Sequence, residues 1–149
     1  MSTAISLATT ADIDALLPLL QRHDEERRNS TDNVQLAESV QPLLEGQPHG
    51  AIWLIGPRRS PLGYVLVTFG WSRSLGGREA WLDEIFIRPS VRNRGIAKEV
   101  TNAIAVSLTK AGLKAFHARV NIQDVRARRF CEKLGWKIED QTRILSDLL

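Results

Sequence analysis

Apolar and polar residues alternate in blocks whose period changes along the chain, and the period predicts the elements. Residues 4–8 are short and apolar and read as a first strand. Thr9 then opens a helix, with Asp12 three residues later as an acidic capping-box partner. Ile13, Leu16, Leu17 and Leu20 follow at helical spacing. Pro18 lies inside that pattern and is expected to kink it. Residues 23–33 are polar and read as a loop. Leu36, Val40, Leu43 and Leu44 predict a second short helix, disturbed by Pro42.

Residues 51–55 are apolar, and residues 56–61 hold a glycine and two prolines, a turn. Residues 63–69 read as a strand that suits a hairpin with the one before. After a loop carrying Gly76 and Gly77, residues 80–87 form a third strong strand, which Pro89 ends. The clearest helix spans 95–111, with an apolar stripe of Ile96, Val100, Ala103, Ile104 and Leu108 and with Gly112 as its stop. A strand at 115–120 follows. Asp124 can cap a last helix, in which Ala127, Phe130, Cys131 and Leu134 fall at i, i+3, i+4 and i+7 and which Gly135 ends. Residues 136–138 and 142–145 are weaker strand candidates. The order is β-α-α-β-β-β-α-β-α-β(-β), an α/β fold with a mixed, mostly antiparallel sheet flanked by helices.

Length and composition narrow this picture. The chain has 149 residues, 43% hydrophobic and 25% charged, which fits a single domain over residues 1–149 with one sizeable core. No apolar run approaches the roughly 20 residues of a membrane span. The first residues carry no signal-peptide pattern. One cysteine suits a reducing compartment, so a cytoplasmic protein is expected. The three histidines lack metal-ligand spacing, and no metal is expected. The net charge of +3 suits an anionic small ligand or a weak nucleic-acid contact, but no nucleic-acid recognition motif is present.

Chemistry concentrates between residues 81 and 98. A strand, Trp81 to Ile87, runs through Arg88 and Pro89 into Arg92-Asn93-Arg94-Gly95-Ile96-Ala97-Lys98, where the long helix starts. A helix N-terminus presents unpaired N–H groups and partial positive charge. Gly95 removes a side chain where backbone must approach a ligand, and Arg92 and Arg94 add charge. The combination is a cradle for pyrophosphate. Asp83 and Glu84 are consecutive acids in an apolar strand, and strand alternation aims them at opposite faces. Each is a candidate general base or amine ligand. The alternative is a carboxylate that pairs with a nearby arginine or caps a backbone amide.

Arg92, Gly95 and Ala97 match the R/Q-x-x-G-x-G/A signature of GNAT acyltransferases. The strand before them resembles the acidic-pair strand of that superfamily. Residues 124–136 resemble its N-x-x-A-x-x-F-Y-E-K-x-G-F block. The resemblance implies an acetyl-CoA-dependent N-acetyltransferase whose partners are acetyl-CoA and an amine acceptor; a homodimer remains open. It implies that backbone groups of Ile85, Phe86 and Ile87 pair with the pantetheine arm. Backbone amides of Asn93, Arg94, Gly95, Ile96, Ala97 and Lys98 would hold the pyrophosphate, and Asp124 and Arg128 would approach the pantetheine or the adenosine phosphates. Asp83 would stand where relatives often keep a general base, with Glu84 as the other candidate. Cys131 replaces the usual tyrosine proton donor and Asp124 the usual asparagine. Cys131 is either an unusual acid or a small apolar core residue. Its presence keeps a non-catalytic acyl-CoA-binding module as the alternative. The acids Asp24, Glu25 and Glu26, with His23, fall in the region that shapes acceptor choice in similar proteins, where they would suit a cationic amine.

Overall fold

A computed structural model describes residues 2–149, which form two compact units, one ending at Arg119 and one beginning at Val120. The first carries β1 (Ile5–Leu7), α1 (Ile13–Glu26), α2 (Asn33–Leu44), β2 (Gly50–Ile55), β3 (Gly63–Ser72), β4 (Gly77–Ile87), α3 (Ile96–Lys110) and β5 (Ala115–Ala118). The strands lie in sequence order in one sheet, antiparallel from β1 to β4, with β5 parallel to β4. This is the mixed, mostly antiparallel sheet that the order of elements predicts.

Strand alternation gives the sheet two buried faces. On one, Ile52, Leu54, Tyr64, Leu66 and Phe86 pack with Leu16, Leu19 and Leu20 of α1 and Leu36, Val40 and Leu44 of α2. The intervening Val65, Val67, Ala80 and Leu82 are also buried and point the other way. On that side α3 lies against β4 and buries Val100, Thr101, Ile104 and Leu108. Thr101 therefore joins the stripe expected of α3, whereas Ala103 is exposed. Gly63 allows β3 and β4 to close up, since a Cβ there would meet the Phe86 carbonyl oxygen at 2.0 Å.

The 3-10 turn Thr10–Asp12 that leads into α1 carries the expected capping box: the Thr9 amide donates to Asp12 Oδ2 at 2.8 Å. Both α1 and α2 run on through their prolines. Residues 23–26 are helical, which corrects the loop expected there. His23 falls one turn beyond Leu19 and Leu20 and shares their buried stripe, so the apolar face continues through a residue whose type alone reads as polar.

The second unit holds α4 (Val125–Lys133). Asp124 caps it, accepting from the Ala127 amide at 3.0 Å. Ala127, Phe130, Cys131 and Leu134 are the half-covered residues of this helix and its cap, as their spacing predicts. Residues 136–138 and 142–145 form no strand. Ile138 and Leu145 there stay 67% and 95% exposed, so neither segment has the buried face that holds a strand in place.

Candidate active site

The pairing of β3 with β4 breaks at one place. Leu66 faces Glu84 and Val67 faces Leu82, which leaves Asp83 as an extra residue, a β-bulge. The bulge changes the direction of the side chains on either side of it. Leu82 turns to the face of α3, and Glu84 turns to the face of α1. Asp83 itself is exposed, and Glu84 is half-buried. Strict alternation would put Leu82 and Glu84 on one face; the bulge separates them, and so decides that Glu84 is the acid that faces α1.

The bulge also marks where β4 loses one neighbour. β5 pairs with β4 only over Glu79 to Leu82, so from Asp83 to Ile87 one edge of β4 is unpaired. The Phe86 carbonyl points at Gly63 on β3, and the Arg88 amide donates to Leu62 at 2.8 Å on the same side. By alternation, Ile85 and Ile87 turn their N–H and C=O groups to the open edge. Phe86 therefore differs from the expectation that all three residues offer backbone groups there: its backbone belongs to the β3 pairing, and its ring to the core.

Glu84 Oε1 accepts a 2.7 Å hydrogen bond from the Tyr64 hydroxyl. The same oxygen lies 3.3 Å from Nδ1 of His23, which is 3.5 Å from Asp24 Oδ1. Burial, then the neighbouring Glu84 and Asp24 carboxylates, push the Tyr64 phenol far above its ordinary range, so it stays protonated and can only donate to Glu84 at working pH. Tyr64 was not among the candidates read from the chain. A signal existed: it is the one tyrosine of the sequence, in an otherwise apolar strand, and a buried tyrosine hydroxyl needs a polar partner.

After β4 the chain makes a tight turn at Pro89–Val91 and enters α3 through two left-handed residues, Asn93 (φ 64°) and Gly95 (φ 76°). The first backbone hydrogen bond of α3 runs from Glu99 N–H to Gly95 C=O, so the amides of Ile96, Ala97 and Lys98 have no helical acceptor. Asn93, Arg94 and Gly95 are exposed beside them. Nothing lies within 4 Å of where a Gly95 Cβ would be. These open amides at a helix start fit a pyrophosphate.

Arg92 points inward instead. Its Nε donates to the Ile87 carbonyl at 2.7 Å, its Nη2 meets Glu26 Oε1 at 2.6 Å, and its guanidinium stands 5.3 Å from the centre of the Phe86 ring. It ties the end of β4 to the end of α1. Arg92→Ala should therefore lower the melting temperature of the ligand-free protein, by about 1–2 kcal/mol of stability or roughly 2–8 °C. An unchanged melt without ligand would leave Arg92 a phosphate contact alone.

A family model described as "Acetyltransferase (GNAT) family" matches residues 13–136. This chain belongs to the GNAT acetyltransferase family. A peptidyl-lysine N-acetyltransferase, YjaB, of Salmonella typhimurium is 24% identical over 132 residues, 88% of this chain and 81% of the relative. A possible acetyltransferase from Clostridium difficile 630 superimposes with a TM-score of 0.87 at 18% identity, covering 100% of this chain and 99% of that one. An aminoglycoside N-acetyltransferase solved in complex with CoA superimposes with a TM-score of 0.81 at 14% identity, covering 97% and 94%. These superpositions speak to the shared GNAT fold.

The GNAT block at the end of the match lies in the second unit. There the Asp124 carboxylate is occupied as the cap of α4, and Arg128 Nη1 approaches the Ile122 carbonyl at 3.5 Å. Burial pushes the Cys131 thiol up from its ordinary value. Trp53 is a core residue and Trp71 is 69% exposed. Among the described residues no group of side chains could hold a metal ion, and no helix is long and apolar enough to cross a membrane.

Proposed function

We propose that this GNAT protein is an acetyl-CoA-dependent N-acetyltransferase that acylates a primary amine of a small molecule or peptide, working as one domain over its length. The observation that carries the reading is the placement of Glu84. It is a half-buried carboxylate just past a bulge, at the start of an open strand edge that leads into a turn of free amides. In this reading the open edge takes the pantetheine amides at the backbone of Ile85 and the N–H of Ile87, whose carbonyl already accepts from Arg92, and the amides of residues 93–98 take the pyrophosphate. Glu84 removes the proton from the incoming ammonium, directly or through water, and the free amine attacks the thioester. Asp83, exposed on the bulge, has no comparable setting. Asp124 and Arg128 remain the proposed contacts of the CoA arm on the family pattern.

Glu84 and Asp24 are both partly buried carboxylates close to His23, and they favour a cationic acceptor. The relative that acts on peptidyl-lysine makes a lysine side chain the first amine to try. A non-catalytic acyl-CoA module is the second reading, favoured by one feature, the cysteine at the position of the family's proton donor. Release of free CoA in the presence of an amine panel, headed by a lysine-containing peptide, separates the two. Amine-dependent release is expected; CoA binding without release for any amine would select the module. In the same assay Cys131→Ala should keep turnover within roughly tenfold of the wild type, a loss below about 1.4 kcal/mol. A thiol pushed up by burial is a weak acid, and water can protonate a leaving thiolate. A larger drop with loss of the basic limb of the rate profile would make Cys131 the acid.

A further inference from the structure

His23 is 3% exposed, and neither of its ring nitrogens has a hydrogen-bond partner among the described residues. Buried polar groups are rarely left so, and those that are call for an explanation. The ring stands edge-on to Tyr64 with centroids 6.0 Å apart, which fixes its plane. Nδ1 then lies between two carboxylate oxygens, Glu84 Oε1 at 3.3 Å and Asp24 Oδ1 at 3.5 Å, within ion-pair reach of each.

We propose that His23 is a positioning residue for Glu84: the Tyr64 hydroxyl holds Oε1 by its hydrogen bond, and the Nδ1 edge of His23, 3.3 Å from the same oxygen, backs it, so that Oε2 is the oxygen that takes the proton from the amine. The role rests on the reading of Glu84 as the general base. Both neighbours of Nδ1 only accept when ionised, so the proton of a neutral ring belongs on Nδ1. Glu84 Oε2 has no hydrogen-bond partner among the described residues, whereas Oε1 meets Tyr64 from β3 and His23 from α1. His23 stands in the last turn of α1. The charged and titratable groups around it are Tyr64 from β3, Glu84 from β4, and Asp24 and Arg27 from the end of α1, the last acting on the Tyr64 phenol.

A donor to a carboxylate favours its ionised form, and the N–H between Glu84 and Asp24 also reduces their mutual repulsion. Removing it disfavours ionised Glu84, so its titration midpoint must rise. The acid limb of the rate profile, which reports the loss of ionised base, must move to higher pH with it.

The test uses full-length protein labelled with ¹³C and ¹⁵N. The Glu84 carboxyl signal, assigned by its loss in Glu84→Gln, is titrated in the wild type, His23→Phe and His23→Gln. His23→Phe should raise the Glu84 midpoint by about one pH unit. His23→Gln, which keeps an N–H donor, should fall between the two. The acid limb of kcat/KM for transfer to a lysine-containing peptide should shift by the same amount, while stabilisation by CoA stays as in the wild type. An unmoved Glu84 midpoint in His23→Phe overturns the proposal. The ¹⁵N spectrum of the wild type provides a test without any substitution: a neutral His23 ring protonated on Nε2 overturns it as well. The two layers separate cleanly. Wild-type transfer by Glu84→Gln overturns the base reading and the role of His23 with it. Loss of transfer in Glu84→Gln with an unmoved midpoint in His23→Phe overturns the role of His23 alone.

Discussion

Glu84→Gln is expected to lower kcat at neutral pH by about a hundred- to ten-thousand-fold, the scale of losing a general base, while Asp83→Asn stays within roughly tenfold. The contrast comes from the bulge. Both residues are acids on one strand, but the extra residue in the β3–β4 pairing leaves Asp83 exposed and sets Glu84 half-buried against Tyr64 and His23. An exposed carboxylate interacts weakly with anything near it, because water screens it. A half-buried carboxylate held at one oxygen presents the other in a fixed direction. The glutamine variant keeps the size of the side chain and can still accept from Tyr64, so the fold should survive with an unchanged melt. What it cannot do is accept a proton from an ammonium. Its rate profile should lose the acid limb, since no carboxylate remains whose protonation abolishes activity as pH falls. Steady-state CoA release across pH, measured for both variants, is the check. Full activity and an unchanged profile in both would mean that neither carboxylate is the base. A deep loss in Asp83→Asn alone would reverse the assignment.

Gly95→Asp should abolish the stabilisation that CoA gives the wild-type protein. At a hundredfold excess over Kd a ligand that binds only the folded state stabilises it by about 2.7 kcal/mol, roughly 5–11 °C in a chain of this size. Gly95 has φ 76°, where an L-residue costs about 1–2 kcal/mol, so the variant should melt somewhat lower without ligand. It should still fold, because the space around a Cβ at this position is open. That open space is what a pyrophosphate would need, and the aspartate would put a negative charge among the free amides of Ile96, Ala97 and Lys98. Gly95→Ala separates strain from charge: it should share the lower melt but keep part of the CoA shift. Equal CoA shifts in the wild type and Gly95→Asp would move the CoA site away from this turn.

The elements and their order were legible in the sequence because each carries a local period or a local cap. Thr9 and Asp12 close a capping box within four residues, Asp124 caps α4 from its own backbone neighbourhood, and α3 shows its stripe at helical spacing. The turn from β4 into α3 was legible for the same reason, since Gly95 and the helix start lie side by side in the chain. Features that depend on distant pairing were not. The bulge at Asp83 exists only because β3 fixes the register of β4, and it decides which acid faces α1. The inward turn of Arg92 depends on Glu26, which is 66 positions away. His23 reads as part of a polar loop until the sheet buries the face it shares with Leu19 and Leu20, and Tyr64 gains a role only when Glu84 is brought 2.7 Å from its hydroxyl. Two short segments after α4 read as strands but stay irregular, with Ile138 and Leu145 exposed. Local periodicity and capping fix which elements form, because their hydrogen bonds close within a few residues. Register and burial, set by contacts between residues far apart in the chain, decide which side chains meet.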